Sequence, residues 1–165
     1  MILRSEILID RPCDQVYEAV ALRLFDTLHL WHTGVIEVRP LEEGPVRPGS
    51  RGVVVSFLKR GKSKFREEGF AVEVVSLIED RELVLDTSDP HPLIARSRFT
   101  LRFEPLRERT LLRVSQDISW GNDWAGFARP FVFLKRKNEL WRNLRRLRAA
   151  LQAPELPPPP RRPVA

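Results

Sequence analysis

Few residues in this 165-residue chain are of types that do chemistry. The histidines are His29, His32 and His91. His29 and His32 stand one helical turn apart, a spacing that lets two imidazoles reach one ion. No carboxylate or third histidine nearby completes the set that zinc needs, so no metal site and no cofactor are expected. The single cysteine, Cys13, excludes an internal disulfide and a zinc finger. There is no Gly-rich phosphate loop, no serine at a nucleophile elbow, and no Cys–His pair with a third member. Asp86, Asp117, Glu67 and Glu73 fall on the outward side of alternating strands, and Glu68 falls at a strand's rim. Tyr17 and His32 are the remaining titratable groups near a pocket mouth, and no catalytic residue is assigned.

Binding chemistry is better represented. Period-two alternation sorts each strand into a wet and a dry face. Ala95, Ser97, Phe99, Leu101 and Phe103 share one side, with Arg96, Arg98, Thr100 and Arg102 opposite. Leu112, Val114, Gln116, Ile118 and Trp120 form a second dry line, Phe70, Val72, Val74 and Ile78 a third, and Leu83, Leu85 and Thr87 a fourth. Ser97, Gln116 and Thr87 are polar residues set within apolar lines. A buried amide without a partner costs about 1–3 kcal/mol, so Gln116 must face another polar group, water or a ligand. Asn138 interrupts a helical apolar line in the same way. A few convergent polar groups on an apolar wall mark a ligand pocket. The expected lining is Trp31, His32, Phe57, Phe70, Thr87, Ser97, Phe99, Gln116, Trp120, Phe127, Phe131, Leu134, Asn138 and Trp141. Plain core packing is the competing account of the aromatic members.

The elements that position these residues are legible from periodicity and punctuation. A strand is expected at 2–9, then a helix from Asp10-Arg11-Pro12 to about residue 25, with Asp10 as its cap and Val16, Tyr17, Val20, Leu24 and Phe25 inward. A short helix at 26–32 ends at Gly34. Six strands follow, at 35–41, 52–60, 65–78, 82–88, 94–103 and 110–119, joined by Gly- and Pro-containing turns that read as an antiparallel meander. The 107–109 turn lacks glycine, which leaves its type open. A long helix is expected at 124–151. Phe127, Phe131, Leu134 and Trp141 form one of its lines, and Phe133, Leu140, Leu144, Leu147 and Leu151 the line beside it. Asn122 or Asp123 would cap it, and Pro130 would kink it or mark its start. A sheet with one dry face needs a cover, which only the helices can supply.

Composition bounds the rest. Apolar content of 42% and charged content of 30% are those of a globular domain. No apolar run approaches about 18 residues, so no transmembrane segment is expected. The first residues alternate and include Arg4, Glu6 and Asp10, unlike a signal peptide. With one cysteine, this reads as cytoplasmic. The net charge is +6, and the stretch 135–148, with Lys135, Arg136, Lys137, Arg142, Arg145, Arg146 and Arg148 against Glu139, carries all of it. The tail 153–165, with Pro157 to Pro160 and Arg161-Arg162, reads as disordered or polyproline II.

Four stretches together carry a family resemblance. They are Ile9-Asp10-Arg11-Pro12 with Val16 and Tyr17; Leu30-Trp31-His32 before Gly34-Val35; Gly44-Pro45 before Pro48-Gly49-Ser50-Arg51; and the last strand after Arg109-Thr110, followed by a helix ending in a Leu-Arg-Arg-Leu repeat. In that order they resemble the START/Bet v1-like (SRPBCC) superfamily, and within it the polyketide cyclase/dehydrase and lipid-transport group, over residues 2–152. The resemblance implies an α+β helix-grip fold, a seven-stranded antiparallel curved sheet in the order β-α-α-β6-α wrapped around a long C-terminal helix. It also implies an internal cavity for a lipid, isoprenoid, polyketide or similar molecule. The superfamily spans carriers, cyclases and hydrolases, so fold alone does not select a chemistry.

The function expected is therefore carriage, sensing or storage of a small hydrophobic or amphipathic ligand. A polyketide cyclase or dehydratase is the enzyme alternative, since shaping a reactive chain needs little beyond a pocket and one or two donors. Docking to RNA, ribosome or an anionic membrane through the basic helix is the interaction alternative. No DNA-specific binding is expected.

Overall fold

The computed structural model describes residues 1–60, 64–88, 93–121 and 129–153, excluding the side chains of 57–60 and 64–68. Among the described residues the chain runs β1 (Ile2–Ile9), α1 (Cys13–Tyr17), a π-helical turn (Glu18–Leu22) and α2 (Leu24–Trp31). The meander follows as β2 (Val35–Pro40), β3 (Arg51–Arg60), β4 (Lys64–Ile78), β5 (Glu82–Thr87), β6 (Ile94–Leu106) and β7 (Arg109–Trp120), and the chain closes with α3 (Arg129–Gln152).

Seven strands form one antiparallel sheet in the order β1-β7-β6-β5-β4-β3-β2. Consecutive meander strands pair as neighbours, while β1 pairs with β7, for example Leu3 with Gln116. The expected helix-grip architecture is thus present. The dry face carries Leu83, Leu85, Leu101, Phe103, Leu112, Val114 and Ile118, all buried. The wet face is a ladder of ion pairs. Asp86 receives Arg96 and Arg98, Glu82 receives Arg102, and Arg113 reaches Glu6 and Glu104. The arginines of these pairs are solvent-exposed and their acidic partners range from partly buried to exposed, so each pair contributes modestly.

Three irregularities bend the sheet and correct the simple parity reading. A register shift between Ile94 and Arg96 turns Ile94 inward and leaves Ala95 exposed. A second, between Val74 and Ser76, takes Ile78 off the dry face, where alternation had placed it. A third lies between Val35 and Glu37.

The N-terminal helical segment also departs from expectation. It is broken by the π turn, in which the Arg23 N–H donates to Glu18 O, five residues back, at 2.9 Å. The Thr27 hydroxyl donates to Ala19 O at 2.7 Å, the carbonyl that the Arg23 N–H would have satisfied in a regular helix, with Arg23 O also within 3.0 Å. Asp10 does not cap α1. The N-cap is Pro12, with no side-chain cap bond. Within the described residues the long helix spans Arg129–Gln152 and includes Pro130; the expected start at 124 lies outside them. The proposed caps Asn122 and Asp123 lie outside the described residues, as do Phe127 and the tail beyond 153.

The glycine-free turn between β6 and β7 has Arg107 at φ 58. Left-handed backbone costs a residue with a Cβ about 1–2 kcal/mol, so Arg107→Gly is expected to raise unfolding free energy by about 1 kcal/mol in a urea titration. Gly52 is the opposite case. A Cβ there would lie 3.0 Å from the Phe25 ring and 3.2 Å from Arg39 O, so Gly52→Ala is expected to lower the melting temperature.

Candidate functional site

Adjacent strands β5, β6 and β7 bring three of the expected polar residues together on the dry face. Thr87 pairs with Ser97 across β5 and β6, and Phe99 pairs with Gln116 across β6 and β7. The Gln116 amide donates to Ser97 Oγ at 3.3 Å, and the Thr87 hydroxyl donates to Ser97 O at 3.4 Å. Ser97 is fully buried, and Gln116 is 3% exposed. Both bonds are long for their type, and one such bond leaves much of the capacity of a primary amide unused. No Asp, Glu, Lys or Arg is buried among the described residues. The cluster can therefore orient an oxygen or nitrogen of a bound molecule, and has no buried acid or base beside it.

Above this polar floor sits an aromatic rim. Phe70, Phe99 and Trp120 pack against the core while staying partly exposed. His32, at the C-terminal end of α2, places its ring 6.1 Å from that of Phe70, tilted by 48°. Arg129, the first residue of α3, lies 5.5 Å from the Trp120 ring and links the end of β7 to the start of the helix. Trp31 is 5% exposed, and its indole N–H finds no acceptor among the described residues. An unsatisfied buried donor of this kind is uncommon in folded proteins.

The structure corrects the inward face of α3. Phe131, Leu134 and Trp141 are 78%, 59% and 52% exposed, and Asn138 is exposed as well. The buried residues are Val132, Leu140, Asn143, Leu144, Leu147 and Ala150. A helix of this kind packs one stripe, and the two apolar lines read from the sequence lie too far apart around it for both to be covered. Asn143 decides between them. Its Oδ1 accepts from the Thr33 N–H at 2.9 Å and from the Thr33 hydroxyl, which ties α3 to the loop after α2. Counting apolar residues gave Asn143 no weight, although a polar residue between Leu140 and Leu144 was the available signal. Phe57 and Phe127, also expected to line the cavity, lie outside the described side chains.

The other end of α3 is held by the β1–α1 loop. Arg11 Nε donates to Leu151 O at 3.1 Å, at the helix C-terminus where a cation is favoured. Gln152 Nε2 donates to Asp10 Oδ2 at 2.8 Å, and the Thr110 hydroxyl donates to Arg11 O at 2.8 Å. Asp10-Arg11 thus anchors the last helix to the start of β7. The substantial backbone approaches of α3 are to β1 and α2. The Asp10–Arg11 anchor and the Thr33–Asn143 tie fix the helix along one flank of the sheet, beside the polar cluster on its middle strands.

Cys13 borders an open depression with Asp14, Asp80, Arg81 and Phe103. Burial raises the Cys13 thiol pKa, and Asp80 and Asp14 raise it further. Tyr17, edge-on to Phe103 at 5.3 Å, is raised by burial first and then by Asp80 and Glu79. Neither group is activated as a nucleophile or base. Among the described residues no group of histidine, cysteine and carboxylate side chains is placed to hold a metal ion.

A seven-stranded antiparallel sheet with a long C-terminal helix is the helix-grip α+β fold. The chain belongs to the polyketide cyclase / dehydrase and lipid transport family, which it matches over residues 2–152. Solved structures agree on the fold. A START superfamily protein from Mycobacterium smegmatis superposes with a TM-score of 0.71 at 14% identity, covering 92% of this chain and 97% of that one. The Zhui aromatase/cyclase from Streptomyces gives 0.68 at 14% identity, covering 92% and 93%. A Thermus thermophilus protein gives 0.65 at 18% identity, covering 92% and 97%. Among curated proteins none matches.

Asn143→Ala leaves the Thr33 N–H without its acceptor and is expected to cost about 1–3 kcal/mol in chemical denaturation. Cys13 is expected to react with iodoacetamide at neutral pH more slowly than free cysteine, as followed by mass spectrometry, because its thiolate is disfavoured.

Proposed function

We propose that the protein binds a small, mainly apolar molecule bearing one oxygen or nitrogen group, and acts as a carrier, sensor or store. The bound molecule would lie against the dry face of the sheet, beneath α3. Its apolar body would contact Phe70, Phe99 and Trp120, and its polar group would meet Gln116, Ser97 and Thr87. The observation that carries this reading is the buried Gln116–Ser97–Thr87 cluster within an apolar wall. In a closed core a buried primary amide such as Gln116, held by one long bond, is a cost, whereas in a binding site it selects a partner. The Trp31 indole N–H is a further donor suited to such a group. The partly exposed rim of His32, Phe70, Phe99 and Trp120 supplies a way in. Phe131, Leu134, Asn138 and Trp141 are exposed and take no part in this site.

A cyclase or dehydratase on the same scaffold is the rival. His32 at the rim is the titratable side chain such a reaction would call upon. The polyketide cyclase / dehydrase and lipid transport family spans both kinds of role, so the distinction rests on turnover rather than on fold.

Native mass spectrometry of protein purified from its own host is expected to show a retained small molecule of low polarity. Gln116→Leu is expected to weaken binding of that molecule by about tenfold, the worth of one buried hydrogen bond, while leaving simple hydrocarbon probes unaffected. Failure of any apolar molecule to co-purify or to raise the melting temperature would end the carrier reading. Saturable conversion of a polyketide-like substrate, lost in His32→Ala, would move the assignment to the enzyme class.

A further inference from the structure

The apolar line that α3 does not bury remains to be explained. Phe131, Leu134 and Trp141 project from the side of the helix nearly opposite Val132, Leu140, Asn143 and Leu147. Large exposed side chains aligned along one helix face mark a contact surface rather than chance exposure. Their surroundings say what kind. At 100° per residue Lys135 and Arg142 fall along one flank of the line, Lys137 and Arg148 along the other, and Arg145 within it, 4.6 Å from the Trp141 ring. All five are exposed. Lys137, Arg142 and Arg146 face no carboxylate partner among the described residues. The stretch carries the whole net positive charge of the chain.

We propose that this face of α3 docks on an anionic phospholipid bilayer. Phe131, Leu134 and Trp141 would enter the headgroup layer, and the flanking Lys and Arg side chains would hold lipid phosphates. An aromatic and aliphatic stripe bordered on both sides by long cationic side chains is the arrangement of an interfacial helix, in which the alkyl stems follow the apolar surface and the charged ends reach the phosphates. The opposite side of α3 is fixed to β1 and α2, so the stripe is presented on a rigid support. A second copy of this chain is a poor occupant, since apposing two such faces would set five cations against five. RNA would engage the cations but leave Phe131 and Leu134 in water. Insertion is shallow, because no helix among the described residues is long and apolar enough to cross a membrane. The surface is the side of α3 that the fold leaves exposed and shares no residue with the polar cluster, so it does not depend on whether that site holds a ligand.

The test is co-sedimentation of the full chain with vesicles of phosphatidylcholine alone and of equimolar phosphatidylcholine and phosphatidylglycerol. Binding at least about tenfold tighter to the anionic vesicles is expected, falling as salt is added. Two variants separate the contributions. Phe131→Ser/Leu134→Ser/Trp141→Ser and Lys137→Glu/Arg142→Glu are each expected to lose about tenfold or more. Both should retain the parent melting temperature, since the altered side chains are exposed. Emission from Trp141 should shift to the blue with anionic vesicles, a change absent in Trp141→Phe. Failure of anionic vesicles to retain the protein would overturn the proposal. So would full binding by the triple serine variant, which would reduce the effect to charge alone and favour RNA. A parent dimer in analytical ultracentrifugation that the same variant dissociates, with no vesicle binding, would assign the face to a second copy.

Discussion

A seven-stranded sheet with one apolar face must be covered, and here the cover is held at its flank rather than across its whole area. The C-terminal helix reaches the fold through the Asn143–Thr33 bonds on one side and the Arg11–Leu151 and Asp10–Gln152 bonds at its end. All of these are polar and directional, so they set the rotation and height of the helix in a way that apolar packing, being non-directional, cannot. Once Asn143 faces Thr33, Leu140, Leu144 and Leu147 are carried into the core and Trp141 is carried out of it.

That rotation makes the two sides of α3 different in kind. The inner side packs against β1 and α2. The outer side holds an apolar line within a basic border. The proposed ligand site and the proposed bilayer contact are related problems, since apolar molecules reside in membranes. On these two proposals the final helix would take part in both.

The electrostatic layout agrees with this division. On the sheet's wet face, the described ion pairs of Asp86, Glu82 and Arg113 place acids and bases on neighbouring strands. The excess positive charge lies on the final helix. Charge concentrated in this way steers association toward anionic surfaces and does little for the fold itself.

Alternation along β5, β6 and β7 was enough to place Thr87, Ser97, Phe99 and Gln116 on one face, because strand side chains have a period of two and the buried set is fixed by local chemistry. The order of elements, the strand–strand meander and the presence of a long C-terminal helix were legible for the same local reasons. Alternation failed at Ala95 and Ile78, where register shifts change the parity, since a shift depends on the neighbouring strand and not on the strand's own sequence. The π turn at Glu18–Leu22 was hidden because its stabilising bonds come from Thr27, on the helix that follows. The face of α3 was hidden for a related reason. Periodicity identifies how many apolar lines a helix has, but which line is buried is decided by a partner distant in sequence, here Thr33, more than a hundred residues earlier. The sequence by itself therefore determined the elements, their order and the polar residues on the sheet. Only the tertiary structure decided which side of the last helix faces inward, because that choice is made by a directional hydrogen bond between residues that meet only when the chain is folded.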